Sequence, residues 1–113
     1  MLVIKKEQIK ALEQSKKDSF VKKANGFLRF KYPEKTEQLT DARLDEIINN
    51  AIDRTKIYDI KSERGIIAFL EFMFSLSFDF DSALKTLWTR DILVDGKLNE
   101  SEKVMAIINK LKA

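Results

Sequence analysis

The chain has 113 residues, enough for one domain that buries its own core without staples. It holds no cysteine and no histidine, which excludes disulfides and thiolate metal sites and removes the commonest general base and metal ligand. The formal net charge is +3, yet it is unevenly spread: about +6 over residues 1–35, about −5 over 36–81 and about +2 over 82–113. Internal complementarity between the basic opening and the acidic middle is preferred over two separate docking faces.

The opening Met1-Leu2-Val3-Ile4-Lys5-Lys6 places its short apolar run before its charges, the reverse of a secretory signal. The first periodic segment then runs from about Lys5 to Lys31. Ile9, Leu12, Phe20, Ala24, Phe27 and Leu28 recur at spacings of three and four, one stripe of an amphipathic helix. Gly26 lies within it, either to admit a neighbouring helix or to mark a bend. Tyr32-Pro33 ends the segment, because a residue before proline is pushed out of the α region.

Pro33 suits the first position of a short helical turn through about Leu39. Thr40 is the expected N-cap of the next helix, Asp41 to about Tyr58, which buries Leu44, Ile47, Ile48, Ala51, Ile52 and Thr55. Tyr58-Asp59-Ile60-Lys61 connects it to a third helix, Glu63 to about Ser77, capped by Ser62. Ile66, Ile67, Phe69, Leu70, Phe72, Met73, Phe74 and Leu76 leave that helix almost no polar face. Its apolar run, Ile66 to Phe80, carries Glu71 and falls short of the ~18 residues of a membrane span. Such a helix belongs at the centre of a bundle.

A capped turn is expected at Phe78-Asp79-Phe80-Asp81-Ser82, then a helix from about Ser82 to Leu93 that buries Leu84, Leu87, Trp88 and one or both of Ile92 and Leu93. Asp95-Gly96 is a turn signal. Asn99 followed by Glu102 resembles a capping box opening the last helix, Glu100 to about Lys112, with Val104, Ile107, Ile108 and Leu111 inward. The pattern predicts an all-α fold in one domain over 1–113: a compact orthogonal bundle of about five helices around a central hydrophobic helix, 63–77.

Chemistry has little to work with. Asp79 and Asp81 could begin a calcium loop, but its twelfth position would be Arg90 or Ile92, where a glutamate is required; capping is the preferred reading. Asp91 and Asp95 could pair as acid and base, yet they sit in no motif and read as solvated charge. The serines have no histidine to activate them, and no glycine-rich phosphate loop is present. No catalytic residue, cofactor or metal site is expected.

Lys16, Lys17, Lys22 and Lys23 make a basic run that would attract phosphates. Glu13 and Asp18 interrupt it, no arginine cluster accompanies it, and a solvated helix face is preferred over a nucleic-acid site. The aromatic residues are more suggestive. Most must be core, but Phe30, Phe72 and Phe80 fall off the main stripes, and with Tyr32 they are the candidate partner-binding residues beside the four lysines.

The order of residues also resembles a family of small bacterial helical proteins of unassigned function. Gln8, Phe20-Val21 and Tyr32-Pro33-Glu34 open the pattern, and Tyr58-Asp59-Ile60, Glu63, Phe69, Met73-Phe74, Phe78-Asp79-Phe80-Asp81, Trp88 and Ile92-Leu93 continue it over nearly the whole chain. Members are often encoded beside effector and spike genes of type VI secretion systems. The resemblance implies an accessory role there, as adaptor or chaperone of a secreted toxin or as immunity protein. Asp59 and Ser77 stand where the family usually has glycine, so turn geometry at both is open. The expectation is therefore a cytoplasmic, non-catalytic protein-binding module whose partner is a secreted effector or toxin. The alternative is a nucleic-acid-binding module using the first helix. Self-association through an apolar patch is compatible with either.

Overall fold

In the computed structural model the backbone is described for residues 6–112 and side chains for residues 14–112. The described residues contain six α-helices, one 3-10 turn and no strand, so the fold is all-α: α1 Lys6–Lys31, α2 Pro33–Thr36, α3 Asp41–Ile57, α4 Glu63–Ser75, a 3-10 turn at Leu84–Thr86, α5 Trp88–Leu93 and α6 Glu100–Lys112. The chain divides after Ile48 into two compact units.

In the first unit α1 buries Phe20, Val21, Ala24 and Leu28, and α3 buries Leu44, Ile47 and Ile48. The expected stripe members Ile9 and Leu12 lie outside the described side chains. Gly26 is exposed, with nothing within 4 Å of an ideal Cβ, so it does not admit a neighbouring helix. α1 ends where expected, with Pro33 at the start of α2. Thr40 caps α3, its Oγ1 accepting from Arg43 N at 3.1 Å.

In the second unit α4 supplies the greatest share of the core: Ile66, Phe69, Leu70, Phe72, Met73 and Phe74 are all buried. Ser62 caps it by accepting from Gly65 N at 3.0 Å. Gly65 is required there. A Cβ at that position would stand 2.7 Å from Ile60 Cγ2, 3.1 Å from Glu100 Oε2 and 3.2 Å from Ser62 Oγ.

α3 closes in a Schellman arrangement. Ile60 N donates to Thr55 O at 2.9 Å and Asp59 N to Lys56 O at 3.2 Å, with Asp59 in the left-handed region at φ 56°. A residue with a Cβ thus holds the conformation that glycine adopts most readily, at the turn left open by the sequence. Ile60 follows it into the core, 1% exposed.

The segment after Phe80 departs from expectation. Instead of one helix from Ser82 there is a 3-10 turn and then the six-residue α5. Leu84 and Leu87, expected inside, are 91% and 40% exposed, whereas Thr89 is fully buried. The reason is polar. Phe80 O accepts from Thr86 Oγ1 at 2.6 Å and from Thr89 Oγ1 at 3.1 Å, so the threonine side of the segment faces inward. Leu93 and Ile107 are buried as expected, while Leu111 is 43% exposed. Asn99 and Glu102 form the expected reciprocal cap, with bonds of 2.9 and 3.0 Å.

Candidate protein-docking surface

Two of the aromatic candidates are core residues. Phe80 is fully buried, with its ring 4.9 Å from Phe69 and 5.8 Å from Phe72, and Phe72 is 6% exposed. The expectation that they line an open surface is corrected. Phe80 lies outside any helix, so no stripe announces its inward direction; the rings of α4 take it in, and burying an aromatic side chain outweighs leaving it in water.

Phe30 and Tyr32 behave differently. Phe30 is 86% exposed and Tyr32 half-buried, at the C-terminal end of α1. Phe27, half-buried, precedes Phe30 by three positions, and side chains at that spacing lie on one side of a helix. Lysines stand over two of these rings: Lys31 Nζ lies 5.7 Å from the Phe27 centroid and Lys35 Nζ 5.9 Å from that of Tyr32.

This aromatic end is held firmly. Arg29 turns away from it and donates to Thr36 O at 3.0 Å, to Leu39 O at 2.9 Å and to Asp41 Oδ1 at 2.8 Å. One planar guanidinium thus ties the end of α1 to the last carbonyl of α2, to a carbonyl of the following turn and to the first residue of α3. Asn25 Nδ2 adds a bond to Asp45 Oδ1 at 2.9 Å. Phe27, Arg29, Lys31 and Lys35 were not singled out as site residues from sequence. The Phe27–Phe30 spacing was the available signal for the first, whereas the contacts of Arg29 are set by the turn through α2.

The four lysines do not form one patch. Lys16, Lys22 and Lys23 are exposed, but Lys17 is half-buried. Lys17, Val21, Ala24 and Leu28 follow one another at spacings of four, three and four, so Lys17 prolongs the buried stripe.

The second unit contains two polar clasps. Asp81, 7% exposed, takes an ion pair from Arg54 on one oxygen and a 2.5 Å hydrogen bond from Tyr58 Oη on the other. Arg54 also donates to Phe78 O at 2.8 Å and lies 5.0 Å over the Phe69 ring. Burial, and then the bond to the Asp81 carboxylate, push the Tyr58 phenol up to about 12. Asp81 is therefore not the helix cap expected of it but the acceptor of a core network. Lys103, buried as well, donates from Nζ to Tyr58 O at 2.7 Å.

The second clasp is Glu100. Its carboxylate accepts from Ser62 Oγ at 2.6 Å, from Ser62 N at 2.8 Å and from Lys61 N, joining the start of α6 to the start of α4. The Ser62 hydroxyl bond, with those from the two backbone amides, holds this carboxyl below its usual range against the opposing effect of burial. Between the two helices lies a cleft of about 190 Å³ lined by Ser62, Gly65, Ala68, Glu100, Val104 and Met105, among others. Its carboxylate is occupied by the three donors just named.

Asp91 is exposed, and Asp95 Oδ1 accepts from Lys97 N at 2.9 Å, the bond of a local turn. Among the described residues no three acidic side chains gather as metal ligands, and no helix is long and apolar enough to cross a membrane. No protein-family model matches this chain, and neither a curated protein nor a solved structure does.

Proposed function

We propose that this chain is a non-catalytic, cytoplasmic protein-binding module that offers the aromatic end of α1 to a protein partner. One observation carries the reading: Phe30, 86% exposed, on a helix end that Arg29 fastens through two carbonyls and a carboxylate. A large ring held in water by a pre-ordered backbone is the type of residue that dominates protein interfaces, because little conformational freedom is lost when it is covered. Tyr32 beside it supplies a ring with a polar tip, and Lys31 and Lys35 supply cations that suit an acidic rim. The resemblance to proteins encoded beside type VI effector and spike genes supports an accessory role, as adaptor, chaperone or immunity protein of a secreted toxin.

The test is co-purification of the chain with each effector encoded beside it, repeated with Phe30→Ala and Phe30→Asp. Burial of such an anchor contributes ~2 kcal/mol or more, so Phe30→Ala should weaken the complex by at least about tenfold and Phe30→Asp should abolish it. Both variants should melt with the wild type, since the ring is already in water. Co-elution with no effector would refute the type VI role, and retention of a complex by Phe30→Asp would refute the surface.

A further inference from the structure

The second unit carries an apolar protrusion that its own core does not need. Leu84 is 91% exposed and Leu87 40% exposed. They lie three apart across the 3-10 turn, a spacing that stacks side chains on one side. Trp88 follows, half-buried, with Lys110 Nζ from the last turn of α6 placed 4.9 Å from its ring centroid. Lys85 lies between the leucines in sequence. Among the described residues neither Lys85 nor Lys110 has a carboxylate within ion-pair distance. Between Ser82 and Leu93 the one acidic residue is Asp91.

We infer that this protrusion docks on an anionic lipid surface, with Leu84 and Leu87 entering the acyl boundary, Trp88 at headgroup level and the lysines among the phosphates. Three features select lipid. A leucine nine-tenths exposed is a projection with almost nothing of this chain beside it, and a fluid acyl layer takes a projection without a matching pocket. Tryptophan is enriched at the headgroup level of membranes, where one end of its ring system is apolar and the other wet. Lysine stems cover apolar surface while their ammonium groups remain at the phosphates. Two leucines alone give weak attachment, so the cations are required, and binding must depend on anionic headgroups and on salt.

Trp88 is the only tryptophan in the chain, so it reports on this surface without a label. The full chain is mixed with vesicles of phosphatidylcholine alone, or of equal parts phosphatidylcholine and phosphatidylglycerol, at about 0.1 M salt, where the screening length is ~10 Å. The anionic vesicles should shift Trp88 emission to the blue, lipids brominated on the acyl chain should quench it, and neutral vesicles should do neither. Lys85→Gln and Lys110→Gln should each weaken partitioning about fivefold, the effect of one cation near an anionic membrane. Leu84→Ser, at the leucine that is 91% exposed, should strongly reduce quenching while melting close to the wild type, and Leu84→Ser/Leu87→Ser should abolish it. Phe30→Asp and Lys16→Glu/Lys22→Glu/Lys23→Glu should still be quenched. The inference is overturned if anionic vesicles leave Trp88 unchanged, which would hand the leucines to a protein partner. It is also overturned if the chain sediments with vesicles but brominated lipid does not quench, or if the double serine variant is quenched as the wild type is.

Discussion

Asp81→Ala tests whether the Arg54–Asp81–Tyr58 network holds the second unit together. Asp81 is the acceptor for two donors, Arg54 Nη2 and Tyr58 Oη, and its side chain is 10% exposed against 20% for Arg54. Removing one partner of a fully buried ion pair costs ~3–5 kcal/mol, because the other charge is stranded. Arg54 is not wholly stranded: it keeps the Phe78 carbonyl at 2.8 Å and the face of Phe69, and water reaches its exposed fifth. Tyr58 is 4% exposed and loses its acceptor outright, a loss of ~1–3 kcal/mol for a buried hydroxyl. Together these give about 2–4 kcal/mol for Asp81→Ala. Asp81→Asn keeps one acceptor oxygen and loses the charge, and should cost about half as much.

Urea unfolding followed by Trp88 emission reads the second unit directly, and the midpoint should fall with the slope unchanged. A cycle with Arg54→Met then isolates the pair, since the two residues touch and their effects should not add. In the Asp81→Ala background, Arg54→Met should cost clearly less than in the wild type. A loss below ~1 kcal/mol for Asp81→Ala, or full additivity in the cycle, would refute the network as a stabilising element.

The two helical glycines should respond in opposite directions. Gly26→Ala, with open space around its Cβ, should raise stability by up to ~1 kcal/mol, whereas Gly65→Ala must displace Ile60 Cγ2 at 2.7 Å and should lower it by ~1–3 kcal/mol despite the same gain in helix propensity; thermal melts compare them. Glu100 contributes through its ionised form, so the stability it adds is present above the ordinary carboxylate range and is lost as pH falls through its lowered pKa; the acid limb of a melting-temperature profile should flatten in Glu100→Gln. Tyr58 runs the other way. Its neutral form is favoured in the fold, so its contribution is complete below pH 10 and is lost as pH rises toward about 12, and in a Tyr32→Phe background the tyrosinate absorbance should titrate near 12 until unfolding releases it. Asp59→Gly relieves a left-handed backbone at φ 56° and forfeits only the exposed 3.3 Å pair with Lys61, so the melting temperature should hold or rise slightly.

Local rules carried the fold a long way. Thr40, Ser62 and the Asn99–Glu102 pair were legible as caps because capping involves residues only three apart, and each makes its bond in the structure. α1, α3, α4 and α6 begin and end within two residues of the positions their periodicity predicts. Legibility failed where partners belong to different elements of the fold. Asp81 read as a cap because its partners, Arg54 and Tyr58, stand 27 and 23 residues earlier. Leu84 and Leu87 read as core because their spacing is helical, but the two threonines that bind Phe80 O set the orientation of that segment. Phe72 falls off the main stripe of α4 and Phe80 has no stripe to follow, and both are buried because their rings pack together with Phe69.

The same distinction explains where the candidate surfaces lie. In each unit side-chain bonds to backbone carbonyls hold the chain next to an apolar side chain that the core leaves largely in water. Arg29 fastens the end of α1, which carries Phe30 with Tyr32 just beyond it, and the Phe80 carbonyl, held by Thr86 and Thr89, fixes the short segment that carries Leu84 and Leu87. Hydrophobic collapse alone would not place Phe30 or Leu84 in water, since each would gain by folding inward. Phe30 lies off the buried stripe of α1 and Leu84 beside the inward-bonded threonines, and the hydrogen bonds hold the backbone that presents each. Weakening those bonds should therefore impair binding without touching an apolar contact: Arg29→Met for the α1 surface, and Thr86→Val/Thr89→Val for the leucine protrusion. If either variant bound as well as the wild type while its thermal midpoint fell, the polar ties would be serving stability alone, and the fixed presentation of these side chains would have no part in recognition.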